Sequence, residues 1–109
     1  MQMAMNYWKE EEGYDTFSDP NGFCAYSYYK DEFFIAHFYV EARKGGGSFK
    51  FFKQVKEYAK SLGAKYITGN VDLTERNKDN YTNKLMIHLR NGYEILDVKD
   101  KRITVVYYL

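Results

Sequence analysis

Three consecutive glycines, Gly45, Gly46 and Gly47, separate a long apolar run from a stretch with helical periodicity. The apolar run at residues 32–41 predicts a strand that is buried on both faces. A plain turn from a strand to a helix needs at most one glycine, because each glycine loses more backbone entropy on folding than alanine does. The other use of bare backbone is close approach of a ligand to the N–H groups of a helix N-terminus, where a phosphate fits. The turn at residues 43–48 is therefore predicted to bind a phosphate-bearing ligand, with a flexible connector as the alternative.

The residues after the glycines have the period of an amphipathic helix over 48–62, with lysines on the opposite side and Gly63 as a typical C-terminal stop. Its apolar stripe consists of Phe51, Phe52, Val55, Tyr58, Ala59 and Leu62. A strand over 64–71 follows. Because a crossover helix joins the two strands, we expect this one to run parallel to residues 32–41.

The remaining segments predict a β-meander before this unit and a helix with a hairpin after it. Residues 19–22 form a turn between strands at 13–17 and 23–29, and residues 5–8 fit the start of a further strand. A second helix over 80–90 is expected to end at Asn91-Gly92, before a hairpin over 93–108. Its expected buried residues are Tyr81, Leu85, Met86 and Leu89. The predicted fold is α/β in the order β-β-β-α-β-α-β-β, a mixed, mainly antiparallel sheet with two helices in a single domain over 1–109.

Composition argues against several other kinds of site. One cysteine, Cys24, excludes an internal disulfide, and two histidines leave no plausible zinc set, so we expect no metal site. Cys24 lies among strand residues and is predicted to be a buried, inert thiol. A net charge of +1 favours neither nucleic acid nor membrane, although the aromatic strands leave single-strand binding as an alternative. With no apolar run near the ~20 residues that span a bilayer and no signal pattern, we expect a cytoplasmic protein.

In combination, these motifs resemble the GNAT acyl-CoA-dependent N-acyltransferases. The family signature Arg/Gln-x-x-Gly-x-Gly/Ala between a strand and a helix corresponds here to Arg43-Lys44-Gly45-Gly46-Gly47-Ser48. The family pattern Tyr-x-x-x-Gly-Phe after the next helix corresponds to His88-Leu89-Arg90-Asn91-Gly92-Tyr93, and the resemblance covers residues 23–109. The landmarks that the family has at fixed distances after the small residue are Phe51, Phe52, Val55, Ala59 and Gly63.

The resemblance implies transfer of an acyl group, most simply acetyl from acetyl-CoA, to a primary amine of a protein or a small molecule by direct attack. It implies that the backbone N–H near Val40 polarises the thioester carbonyl. Asn80 is a further candidate contact to coenzyme A, with helix capping as the alternative. The residues implied in binding the coenzyme A pyrophosphate are Arg43, Lys44, Gly45, Gly46, Gly47 and Ser48.

Proton transfer is assigned less directly. His88 stands where the family has a tyrosine that protonates the departing thiolate, so it is the candidate acid, with a half-buried packing role as the alternative. Glu41, Asp72 and Glu32 are the carboxylates at strand ends that fit a base, with a water molecule as the other choice. Simple alternation along the strand places His37 on the face of Phe33 and Ile35, as a satisfied interior histidine.

The N-terminal segment is too short for the pair of helices that covers the acceptor side in the family. We therefore expect that side to be open or completed by a second copy in a homodimer. The missing tyrosine keeps a second function in view, a GNAT-like module that binds acyl-CoA or another protein without turnover.

Overall fold

The computed structural model describes residues 1–40, 47–74 and 78–109, and within them six strands form one sheet in the order β1-β2-β3-β4-β6-β5. The strands are β1 (Asp15–Asp19), β2 (Gly22–Tyr29), β3 (Glu32–Val40), β4 (Tyr66–Asp72), β5 (Glu94–Lys99) and β6 (Arg102–Tyr108). The helices are α1 (Gln2–Asn6), which continues into a π-helical turn (Tyr7–Glu11), α2 (Gly47–Leu62) and α3 (Lys78–Arg90). The predicted order from β1 onward is confirmed, and none of the described helices has the length and apolar character to cross a bilayer.

The sheet is antiparallel except between β3 and β4, which run parallel as the crossover helix predicted. These two strands pair over only four residues each, Glu32–Ile35 with Tyr66–Gly69. Both strands continue beyond these pairs, to Val40 and Asp72, without pairing to each other in the described chain. The space between their unpaired parts is called here the β3–β4 opening.

A bulge in β3 changes which way its side chains point. Tyr26 of β2 pairs with Ile35 of β3, but Ala25 pairs with His37, which leaves Ala36 as an extra residue. Because neighbouring residues of β2 point to opposite faces, Ile35 and His37 do so as well. The expectation that His37 shares a face with Ile35 is therefore wrong, since the extra residue shifts the alternation.

The two long helices cover one face of the sheet, called here the helical face. In α2, the expected core residues Phe51, Phe52, Val55 and Ala59 are fully buried. In α3, Leu85 and Ile87 pack against the core and His88 is buried, whereas Met86 and Leu89 are 41% and 43% exposed. The expected burial of Met86 and Leu89 is wrong because the buried stripe of α3 includes a histidine, which a purely apolar pattern cannot reveal.

The opposite face, called here the N-terminal face, is covered by the first residues of the chain. Residues 5–8, predicted as the start of a strand, are helical, and the Trp8 ring stacks on His37 at 4.8 Å between ring centroids. This short segment covers only part of the face, so Tyr39 is 46% exposed while Phe33 on the helical face is fully buried. The prediction that the whole of β3 is buried on both faces is therefore wrong at Tyr39.

Candidate functional site

At the β3–β4 opening, the backbone of β3 has no partner strand on the side that faces β4. Beyond Ile35, β3 is paired to β2 on one side, but no described residue extends the ladder on its β4 side. A narrow cavity of about 50 Å³ occupies this position. It is lined by Ile35, Ala36, His37, Phe38, Gly69, Asn70, Lys84 and His88. A ligand that enters here meets unpaired backbone N–H and C=O groups, which an amide can satisfy.

Gly69 of β4 keeps the opening free of side-chain atoms at its centre. A β-carbon on this residue would lie 3.5 Å from His88 Nε2 and 3.9 Å from the carbonyl oxygen of Ile35. These are ordinary contact distances, so a side chain there would be tolerated sterically but would fill the space between the two strands. The absence of a β-carbon at Gly69 therefore widens the opening.

His88 reaches the opening from the helical face and is only 2% exposed. Its Nδ1 donates a hydrogen bond to the Lys84 carbonyl oxygen at 2.8 Å, which fixes the neutral tautomer with an unprotonated Nε2. Burial lowers the pKa of His88, and the bond to the Lys84 carbonyl offsets part of that shift. The ring also packs edge-on against Phe38 at 5.2 Å between centroids. His88 thus lines the opening, but its lowered pKa favours the neutral, proton-accepting form, and its role as an acid stays a prediction.

His37 borders the opening from the N-terminal face. Its ring stacks on Trp8 with 12° between the planes and packs against Phe23 at 5.8 Å between centroids. Burial and the positive charge of Lys84 both lower the pKa of His37. Sequence reasoning missed its place at the opening because the bulge at Ala36 gives no signal in the alternation of apolar residues.

A larger cavity of about 400 Å³ lies on the N-terminal face beside the opening. It shares Ala36, Asn70 and Lys84 with the opening, so the two cavities adjoin each other between β3 and β4. Its lining is mixed in charge and consists of Trp8, Glu12, Tyr14, Phe34, Ala36, Asn70, Asp72, Lys84 and Arg102. The N-terminal members were not predicted, because a charged run after a short segment carries no period that would bring it to the sheet.

The carboxylates predicted as bases have other partners or positions. Asp72 lines the larger cavity, but its Oδ1 accepts hydrogen bonds from the Thr74 hydroxyl at 2.6 Å and the Thr74 N–H at 2.8 Å. These bonds hold the pKa of Asp72 below its usual value. Glu32 accepts a hydrogen bond from the Thr68 hydroxyl at 2.6 Å, at the paired end of β3 and away from the opening. Glu41 lies outside the described residues.

Most of the predicted coenzyme A contacts also lie outside the described residues, namely Arg43, Lys44, Gly45 and Gly46. Gly47 begins α2, and Ser48 is half-buried in its first turn. Val40 ends β3 opposite Gly22, where a β-carbon on Gly22 would overlap the Tyr39 carbonyl oxygen. Asn80 belongs to α3, but its side chain is outside the described part. The roles of all these residues stay predictions.

Neither the known family models nor the curated proteins contain a match to this chain. Solved structures do match it. An anti-CRISPR protein, AcrVA5, is 22% identical with a TM-score of 0.59, over 83% of this chain and 95% of that one. An acetyltransferase from Bacillus subtilis in complex with coenzyme A is 13% identical with a TM-score of 0.65, over 99% of this chain and 83% of that one. A protein of the GNAT family from Desulfovibrio desulfuricans is 10% identical with a TM-score of 0.67, over 98% of this chain and 77% of that one.

Proposed function

Because the chain has the fold of the GNAT acyltransferases, we propose that it transfers an acyl group, most simply acetyl, from acyl-CoA to a primary amine. The acceptor is an amine of a protein or of a small molecule. The observation that carries the proposal is the β3–β4 opening, a narrow slot through the sheet with unpaired backbone on one wall and Gly69 on the other.

The slot fits the donor substrate chemically. The pantetheine arm of coenzyme A is thin, unbranched over most of its length and contains amide groups. Amides can pair with the unpaired backbone of β3 in the way that an added strand does. The start of α2 at Gly47 offers helix N-terminal N–H groups to the pyrophosphate, and this supports the roles proposed for Arg43 to Ser48.

Acyl-CoA supplies an activated thioester, so the chain itself has to position the two substrates and manage protons. In this proposal the Val40 N–H polarises the acyl carbonyl, and Asn80 adds a contact to coenzyme A. His88, with Nε2 next to Gly69, is the imidazole on the helical side of the slot. The larger cavity on the N-terminal face gives the amine a route to the same slot.

A second function, binding of acyl-CoA or a protein without turnover, is favoured by the state of His88. The family's tyrosine is absent, and the imidazole in its place has a lowered pKa and an Nδ1 proton already donated to a carbonyl. Such a group is a poor acid at neutral pH.

Two measurements test the proposal. Isothermal titration with coenzyme A and acetyl-CoA should show binding, and thiol release from acetyl-CoA should appear with at least one member of an amine panel. The panel contains a lysine peptide, a peptide with a free N-terminus and a polyamine. Binding without thiol release for any amine would support the binding module. No coenzyme A binding at high micromolar concentration would contradict both acyl transfer and acyl-CoA binding, and only protein binding would stay open.

A further inference from the structure

We propose that His37 is the catalytic base that takes the proton from the acceptor amine, an inference that rests on the proposed acyl transfer. His37 and His88 both line the β3–β4 opening, but they reach it from opposite faces of the sheet. His88 lies on the helical face against Phe38 and Phe52, whereas His37 lies on the N-terminal face, stacked on Trp8, which lines the larger cavity. An amine that arrives from the N-terminal face meets His37 before His88.

The His37 ring is held in place without using its nitrogens. Stacking on Trp8 at 4.8 Å and packing against Phe23 fix the plane of the imidazole. Among the side chains that the structure describes, in residues 1–40, 48–74 and 83–109, none is a hydrogen-bond partner of either His37 ring nitrogen. A base must be able to reach the proton that it removes, and an oriented imidazole with a vacant nitrogen satisfies that condition.

The alternatives among the described residues are weaker. An alkylamine reaches a protein as an ammonium ion at neutral pH, because its pKa is near that of lysine, about 10.4. Asp72 has its Oδ1 bound by two donors, and Glu32 lies at the paired end of β3. His37, in contrast, is kept unprotonated near neutral pH, since burial and Lys84 lower its pKa.

The reaction balances with this single base. The ammonium group gives one proton to His37, and the nitrogen lone pair then forms a bond to the acyl carbon. The carbon–sulfur bond breaks with its electron pair on sulfur, and a second proton from the nitrogen ends on that sulfur. The imidazolium of His37 releases its proton to solvent on the N-terminal face. The products are the acylated amine, a free thiol and one proton.

Other charges face this imidazole and contribute to its titration. Lys84 approaches from α3, and Met1 lines an adjoining pocket with His37 and Tyr39. The carboxylates of Glu12 and Asp72 lie around the neighbouring cavity, together with the Arg102 guanidinium. The cations disfavour the protonated form of His37 and the carboxylates favour it.

Trp8 offers a direct readout that does not depend on activity, because it is the one tryptophan in the sequence. Protonation of the stacked imidazole should quench its fluorescence. We expect a wild-type transition with a midpoint below the ordinary histidine value of about 6.5. The transition should disappear in His37→Gln, persist in His88→Gln and move to higher pH in Lys84→Gln. A wild-type titration without a transition, or one unchanged in His37→Gln, would overturn the inference.

The kinetic test follows kcat/KM against pH with acetyl-CoA and the best amine of the panel. Wild type should lose activity below the fluorescence midpoint, and His37→Gln should lower kcat/KM by about 10²–10⁴-fold while coenzyme A affinity stays unchanged. His37→Asn serves as a second variant with a smaller side chain. His88→Gln should lose activity over the same acidic pH range as wild type, whatever its rate. If the protein turns over and His37→Gln keeps the wild-type rate and the loss of activity at low pH, the role of His37 is contradicted but acyl transfer is not. The absence of turnover in wild type with every amine contradicts both.

Discussion

Replacing Gly69 by alanine tests whether this glycine leaves room for a ligand in the β3–β4 opening or has only a structural role. The added β-carbon would lie 3.5 Å from His88 Nε2 and 3.7 Å from Val105 Cγ2, which are ordinary contacts. Because Gly69 is not among the described glycines with positive φ, alanine fits the backbone, and the loss of unfolded-state entropy should stabilise the protein by about 0.4–1 kcal/mol. The same methyl group takes up space next to His88 at the opening, so coenzyme A binding should weaken.

We expect the affinity of Gly69→Ala for coenzyme A to fall at least about tenfold, which corresponds to about 1.4 kcal/mol. Isothermal titration measures the affinity, and urea denaturation measures the free energy of unfolding. Gly63→Ala is the matched control, since Gly63 ends α2 with φ 98° at the far end from the opening. It should lose about 1–2 kcal/mol of stability and bind coenzyme A normally. A stable Gly69→Ala protein with wild-type affinity for coenzyme A would contradict the proposal that coenzyme A binds in the β3–β4 opening.

Three further predictions concern the core around the site. Gly22→Ala should lower the free energy of unfolding by about 1–3 kcal/mol or more, because its β-carbon would overlap the Tyr39 carbonyl oxygen; a wild-type urea midpoint would contradict this. Since burial lowers the pKa of His88, the unfolded chain binds more protons below about pH 6.5, and stability should fall as the pH drops from about 7 to 5. That slope should be shallower in His88→Gln, and equal slopes would argue against a buried neutral imidazole. Burial also raises the pKa of the Cys24 thiol to about 12, so a thiol reagent should label Cys24 only after unfolding, and rapid labelling of native protein would contradict its burial.

The elements that sequence predicted well are those where one physical signal dominates. The stripe of α2 and its stop at Gly63 follow from a 3.6-residue period and a positive φ, and both are confirmed. Leu62, in the last turn, is 38% exposed, so its predicted place in the buried stripe is wrong. The parallel pairing of β3 and β4 follows from the crossover alone.

The site itself was only partly accessible to such reasoning. The position of His88 at the opening came from a motif, but its tautomer depends on a backbone carbonyl that no pattern specifies. The exposure of His37 to the opening depends on one extra residue, Ala36, and a bulge leaves no mark on composition or period. The cover of the N-terminal face comes from Trp8 and its neighbours, where tertiary stacking determines the structure more than local propensity does.

The four-residue pairing of β3 with β4 also has a mechanical consequence. It joins two three-stranded halves, β1-β2-β3 and β4-β6-β5, within which the strands pair over longer stretches. A pulling force applied across the sheet passes through every strand pair in turn. Among the described strands, the pair joined over the fewest residues is β3 with β4, so the sheet should separate along this line first. Along the same line, the β3 amides beyond Ile35 that face β4 have no ladder partner among the described residues, and their hydrogen exchange should be fast until a ligand lies between the halves.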